Sequence, residues 1–192
     1  MTEKLFWENP YLTEIKAKVM KINNNRVSLN KTIFYAFCGG QESDEGTISG
    51  IKVVNALKIG EKENIIDIEY TLFSEPDFKV GDEVEVKINK EKREKLLRLH
   101  SSAHIVYYFI IEKLGELKVI GSNITSDKAR VDFFLDTSIT PILLEIEEKT
   151  NKFLGEEHQI ERKFDENNTL FTGFAASGRC LAAAHTQETQ KR

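Results

Sequence analysis

The sequence predicts an α+β protein in which a small N-terminal β-barrel is followed by an α+β sandwich domain. Short runs of alternating apolar and polar residues recur through the first 89 residues, and this period is typical of strands. The pattern changes at Asn89, where a long segment without glycine or proline begins and carries apolar residues at helical spacing. Strand-like and helical runs then mix, which favours a layered α+β arrangement. The predicted domains are residues 1–89 and 90–170, with residues 171–192 as a separate tail.

Five strand-like runs support the barrel. The last of them has a clean two-residue period and follows a turn at residues 78–82, while an Asn-Asn-Asn turn joins the first two. Several short strands at this spacing favour a small barrel. The predicted strands are Glu14–Met20, Arg26–Leu29, Ile51–Leu57, Asn64–Leu72 and Glu83–Ile88.

The second domain begins with a long helix. It is predicted over Lys90–Leu114, and Gly115 is a suitable stop. A second helix is predicted over Pro141–Phe153, with the proline in its first turn. Three strands complete this domain, over Lys118–Ile124, Ala129–Leu135 and His158–Phe164.

The composition limits the classes of function. Hydrophobic residues make up 40% and charged residues 30% of the 192 residues, which is sufficient for a buried core. The net charge of −4 argues against a generally basic nucleic-acid binder, so any RNA contact requires a local patch. Two cysteines, Cys38 and Cys180, are too few for a disulfide framework and favour a reducing compartment. Because neither a leader nor a membrane-spanning run is visible, we expect a cytoplasmic protein without a membrane partner.

Two histidines carry the strongest local signal. His100 and His104 are four residues apart on the long predicted helix, so both imidazoles point the same way, one turn apart. One metal ion about 2.0–2.1 Å from each nitrogen could reach both, and imidazole suits zinc. On spacing alone, two ordinary helix histidines are an equally good interpretation.

The surrounding residues add a resemblance. The stretch Leu97–His104, followed by Gly121-Ser122 and Asp127–Phe133, resembles the Arg-x-x-His-Thr-Ala-x-His and Gly-Ser…Arg-x-Asp-Phe blocks of the alanyl-tRNA synthetase editing domain and its free-standing AlaX relatives. The resemblance implies that His100 and His104 bind Zn²⁺. Ser101 stands where the family has threonine and keeps the hydroxyl.

A second block lies in the first domain. Residues 34–48 resemble the family's Phe-Tyr-Pro-x-Gly-Gly-Gly-Gln-x-x-Asp-x-Gly-x-Ile, although Gly-Gly-Gln alone is only a turn. The resemblance implies that Gly39, Gly40 and Gln41 bind substrate and that Gln41 helps to set amino-acid selectivity. Ala36 replaces the proline and Cys38 the first glycine, which leaves the loop conformation open. We expect Cys38 to be a small buried residue rather than a metal ligand.

The tail departs from the family pattern. The family ends the domain with Cys-Gly-Gly-Thr-His, whose cysteine and histidine are the remaining zinc ligands, whereas here Gly178 precedes Arg-Cys-Leu-Ala-Ala-Ala-His. Back-translating residues 178–192 with permitted codons and shifting the frame by two bases yields Lys-Met-Pro-Cys-Gly-Gly-Thr-His-Pro-Arg-Asn-Thr-Lys-Glu. We therefore predict one frameshift between residues 164 and 171. Cys180 and His185 are then by-products of the shift, and they remain alternative zinc ligands if the tail is authentic.

The activity implied by the resemblance is hydrolysis of the aminoacyl ester on alanine tRNA that was mischarged with serine or glycine. Such a second sieve is useful because a synthetase pocket discriminates these small amino acids poorly. We expect Ser101 and Gln41 to act on the substrate hydroxyl, and Lys128 and Arg130 to contact phosphate or to form a solvated strand face.

Two other functions stay open. One is a catalytically inactive editing homologue that binds tRNA without hydrolysis, and the other is an unrelated metal-binding or structural module. Two histidines alone should hold zinc weakly, because affinity falls with each missing ligand. We therefore expect weak zinc binding and little deacylation from the chain as written.

Overall fold

The computed structural model describes residues 2–61, 64–156, 158–164, 170–176 and 179–183. The α+β class is confirmed, since mostly antiparallel strands are combined with two α-helices. The chain divides into two compact units, of which the first comprises residues up to Leu99 with Asn123–Lys128, and the second begins at His100 and resumes at Ala129. The predicted domain boundaries at residues 89 and 170 remain predictions.

The first unit contains a ring of six antiparallel strands. They pair in the order β2-β3-β7-β6-β5-β8, and β8 returns to β2, so that the ring closes into a barrel. A short strand, β1, lies outside the ring and pairs in parallel with β4. The strands are β1 Glu3–Lys4, β2 Glu14–Asn23, β3 Arg26–Leu29, β4 Lys31–Thr32, β5 Gly46–Ile48, β6 Ile51–Glu61, β7 Asn64–Leu72 and β8 Glu83–Ile88, and a 3-10 turn covers Leu5–Trp7.

Alternation along the strands builds the core. In β8 the residues Val84, Val86 and Ile88 are buried, while the charged residues between them are exposed. One closed hydrophobic cluster results, and its largest fully buried side chains include Tyr70, Phe34, Leu29 and Ile33. The strands predicted at 26–29, 64–72 and 83–88 have the predicted bounds, whereas those predicted at 14–20 and 51–57 extend further.

The first α-helix, α1, spans Lys90–Leu114, as predicted. The Asn89 side chain accepts a hydrogen bond from the Lys92 amide at 3.1 Å and caps its start. Gly115, at a φ of 83°, donates its amide to the carbonyl of Ile111 at 2.8 Å and ends it. Sequence signals at both ends therefore define the helix that carries the histidine pair.

Beyond α1, β9 and β10 pair with each other, and a three-stranded antiparallel sheet in the second unit has the order β11-β12-β13. The predicted second helix starts later than Pro141, because residues 140–142 form a 3-10 turn before it. No helix within the described ranges is long and apolar enough to cross a membrane. The elements are β9 Val119–Ile124, β10 Ala129–Phe133, α2 Leu143–Gly155, β11 Gln159–Phe164, β12 Leu170–Ala176 and β13 Arg179–Ala183.

Candidate functional site

The histidine pair converges on the face of α1. The Nε2 atoms of His100 and His104 lie 2.9 Å apart, and the two rings stack at an angle of 27° with centroids 4.9 Å apart. Both side chains are half-buried, as is the neighbouring Ser101. One imidazole nitrogen can donate a proton to the other, or a single cation can replace that proton and bind both nitrogens.

The donor set fits two positions of a zinc site. Zinc–nitrogen bonds are about 2.0–2.1 Å long, so two nitrogens at this separation can share one ion. A tetrahedral site needs further ligands, and the residues that the structure describes contain no group of three or more histidine, cysteine, aspartate or glutamate side chains suited to a metal. Of the alternative ligands, Cys180 lies on β13 with its side chain outside the description, and His185 lies outside the described residues.

The glycine-rich loop forms a tight turn at residues 38–41. The amide of Gln41 donates to the carbonyl of Cys38 at 2.9 Å, and a longer reciprocal bond of 3.4 Å closes the turn. Gly39 and Gly40 have φ angles of 58° and 80°, the left-handed values that a type I′ turn requires at both central positions. Cys38 is half-buried rather than buried as predicted. It precedes these positions and has no positive φ, so its replacement of the family glycine leaves the turn intact.

This turn is paired with the end of β9. The Glu42 amide donates to the carbonyl of Ile124 at 2.8 Å, and the Ile124 amide donates to the carbonyl of Gly40 at 2.9 Å. Gln41 between them is 8% exposed. The turn is therefore held from outside by a segment that lies some eighty positions later in the chain.

An ion pair that the sequence did not suggest lies beneath the loop. Arg93, in the first turns of α1, donates Nε to Asp44 Oδ1 at 2.9 Å and makes a second contact to the same carboxylate. Both side chains are buried, with exposures of 4% and 1%. The only signal was the aspartate of the glycine-rich motif, since Arg93 lies in a run of charged residues that resembles a solvated helix start.

A second, more exposed cluster stands beside it. Lys92 Nζ donates to Glu42 at 2.7 Å and to Glu45 at 2.9 Å. Burial acts to lower the pKa of Lys92, but the hydrogen bonds to the two glutamates outweigh it and hold the pKa above its ordinary value. Lys92 is therefore positively charged at neutral pH in the folded protein.

The two downstream blocks of the resemblance touch each other. A Cβ atom at Gly121 would lie 2.8 Å from Oδ2 of Asp132, so glycine leaves room for that carboxylate. Arg130 Nε lies 3.2 Å from Asp132 Oδ1, which partly neutralises this candidate phosphate contact. Lys128 is exposed, and within the described part of the chain it forms no ion pair.

Known proteins resemble this chain over most of its length. Residues 6–92 match the family model described as tRNA synthetases class II (A). The alanyl-tRNA editing protein AlaX-M of Pyrococcus horikoshii is 37% identical over 164 residues, which cover 84% of this chain and 74% of that protein. AlaX-M of Methanosarcina mazei is 31% identical over 197 residues, covering 91% of this chain and 76% of the relative.

The likeness extends to much longer enzymes. The alanine–tRNA ligase of Methanococcus maripaludis is 34% identical over 198 residues, which cover 98% of this chain but 22% of the ligase. The match to the two AlaX-M proteins covers a larger share of the relative, since it spans about three quarters of their own length. The chain that carries this histidine pair and this glycine turn therefore belongs to the family of alanyl-tRNA editing proteins.

Proposed function

We propose that this protein is a trans-editing hydrolase that removes serine or glycine from mischarged alanine tRNA in the cytoplasm. The observation that carries the proposal is the convergence of His100 and His104 to 2.9 Å in a chain of the editing family. We assign Zn²⁺ to this pair. Bound there, zinc supplies Lewis-acid polarisation or a water of lowered pKa.

Side chains and backbone of the protein itself recognise the amino acid and the tRNA in this proposal. Ser101 and Gln41 are our candidates for hydrogen bonding to the hydroxyl of a serine substrate, since a buried polar group left unpaired by the wrong substrate penalises it strongly. Gly39 and Gly40 supply close backbone approach without side chains. Lys128, exposed and without an ion pair among the described residues, and Arg130 are our candidates for contacts to tRNA phosphate.

A second function is favoured by one observation. The tail from Gly178 to His185 departs from the Cys-Gly-Gly-Thr-His pattern in which the resemblance places the remaining zinc ligands. A catalytically inactive homologue that binds alanine tRNA without hydrolysis is consistent with this departure. Its binding should depend on salt and be independent of zinc.

One experiment separates the two functions. The purified chain, and a version whose tail is replaced by the shifted reading Cys-Gly-Gly-Thr-His, are incubated with seryl-, glycyl- and alanyl-tRNA(Ala), with zinc or with a chelator. We expect little hydrolysis by the chain as written, and rapid zinc-dependent release of serine by the restored version. His100→Asn in the restored version should abolish this release, and His158→Asn is its matched control, because His158 pairs with Glu156 rather than with the histidine pair.

Two outcomes would contradict these expectations. Binding of tRNA without hydrolysis by the restored version would support the inactive homologue. Rapid hydrolysis with full zinc occupancy by the chain as written would overturn the frameshift hypothesis and make Cys180 and His185 the missing ligands.

A further inference from the structure

The glycine turn at 38–41 is attached to the start of α1 by buried charges. We propose that Arg93 and Asp44, assisted by Lys92 and Glu42, are positioning residues that hold this turn in a fixed form for substrate discrimination. The inference rests on the proposed function for its consequence, but the anchoring can be tested without any activity.

Arg93 closes the base of the loop. Besides Asp44, its guanidinium donates to the carbonyl of Ile33 at 2.6 Å and to that of Pro10 at 2.8 Å. Asp44 in turn accepts the amide of Tyr35 at 2.6 Å. One buried pair thus joins the chain entering the loop, the chain leaving it and the helix that continues towards His100.

Glu42 forms a second attachment nearer to the turn. Its carboxylate accepts the Lys92 ammonium at 2.7 Å and the Ser126 amide at 3.3 Å. The same residue's amide bonds to Ile124. The neighbour of Gln41 is therefore attached to α1 through its side chain and to the end of β9 through its backbone.

The chemistry points to positioning rather than to stability alone. A buried ion pair adds little net stability over apolar residues of similar volume, because both charges must be desolvated. The geometry of the pair is specific, however, because arginine presents five N–H donors in a rigid planar group. Lysine cannot make a bidentate contact to a carboxylate and also donate to two backbone carbonyls. The Arg93 guanidinium donates to three separate segments, at Asp44, Pro10 and Ile33. Contacts of this kind fix the position of one segment relative to the others.

The anchoring is tested on the full chain by amide hydrogen exchange. The reporters are the amides of Gln41, Glu42 and Asp44, whose acceptors are the carbonyls of Cys38, Ile124 and Tyr35. Arg93→Lys and Asp44→Asn should each speed exchange at these amides by about tenfold or more, while the amides of β2 keep their protection. Arg98→Lys is the matched control, because Arg98 is 79% exposed and contacts only Glu94 at 3.7 Å among the described ion pairs.

A milder variant covers the case in which the buried changes prevent folding. Glu42→Gln keeps the shape of a side chain that is 39% exposed and should raise loop exchange about threefold. Unchanged loop exchange in folded Arg93→Lys or in Glu42→Gln would overturn the proposal. A uniform loss of protection through β2 and the loop would show a merely structural pair and would overturn it as well.

The consequence for selectivity is tested on the version with the restored tail. Arg93→Lys should reduce the ratio of kcat/KM for seryl- over alanyl-tRNA(Ala) by about tenfold, with the KM for tRNA unchanged. If the parent of this variant hydrolyses neither substrate, the proposed function fails and the exchange result still decides the anchoring. If the parent is active and Arg93→Lys discriminates as well as the parent, the inference fails while the proposed function stands.

Discussion

Replacing Gly46 with alanine should destabilise the barrel by disrupting the pairing of β5 with β8. A Cβ atom at this position would lie 2.0 Å from the carbonyl oxygen of Lys87, 2.7 Å from the ring of Phe34 and 2.8 Å from the Cα of Ile88. Two of these atoms belong to the backbone of β8, which pairs directly with β5. They cannot withdraw unless the hydrogen bonds between β5 and β8 are broken.

The expected loss follows from this geometry. Overpacking a core usually costs about 1–3 kcal/mol, and a clash with paired backbone belongs at the upper end of that range, at about 3 kcal/mol. A domain has only about 5–15 kcal/mol of stability in total. For a chain of this size, the midpoint of thermal unfolding should fall by about 6–12 °C.

Urea unfolding followed by fluorescence measures the loss. Trp7 is the only tryptophan of the chain and packs against the barrel core, so its emission reports on that unit. The matched control is Gly50→Ala in the adjacent hairpin, where φ is 79° but nothing lies within 4 Å of the added Cβ. This variant should lose only about 1–2 kcal/mol of stability, because alanine is strained at a positive φ. If Gly46→Ala were no more destabilising than Gly50→Ala, the steric argument would be refuted.

Three further predictions concern the site and the gene. His100→Asn or His104→Asn should remove the weakly bound zinc that remains after dialysis, as measured by mass spectrometry, whereas His158→Asn should retain it. Lys128→Gln should weaken alanine-tRNA binding and lower the slope of log K against log salt by about one unit. Arg130→Gln should have a smaller effect in the same filter-binding series, because Asp132 already pairs with Arg130, and equal effects would contradict this. Sequencing the gene from the codon of Ile160 onwards should show an open shifted frame that encodes Cys-Gly-Gly-Thr-His; a closed frame would make the tail authentic and leave the inactive homologue as the better function.

Local signals made part of the fold predictable. The helix Lys90–Leu114 was predicted with both ends correct, because it lacks glycine and proline and is followed by Gly115, whereas the cap formed by Asn89 was found only in the structure. The two-residue period of Glu83–Ile88 was equally clear. The strands at residues 31–32 and 46–48 were missed, since two or three residues are too few to show a period.

The candidate site divides in the same way. His100 and His104 were identified because their relation is a property of one helical turn, and the structure brings their nitrogens to 2.9 Å. The form of the glycine loop stayed open in the sequence, because Cys38 departs from the family pattern. Backbone angles show that only Gly39 and Gly40 need left-handed conformations.

Sequence alone was sufficient for the α+β class, the helix with its histidine pair and the family resemblance, all of which depend on residues close together in the chain. The partners of Arg93 and Glu42 were decided by tertiary structure, since Asp44 and Arg93 are forty-nine positions apart and Glu42 and Ser126 eighty-four. A charged residue looks the same in sequence whether it is solvated or buried. The tertiary fold, which brings distant segments together at the start of α1, determines which charges must pair, because a charge removed from water needs a partner of opposite sign.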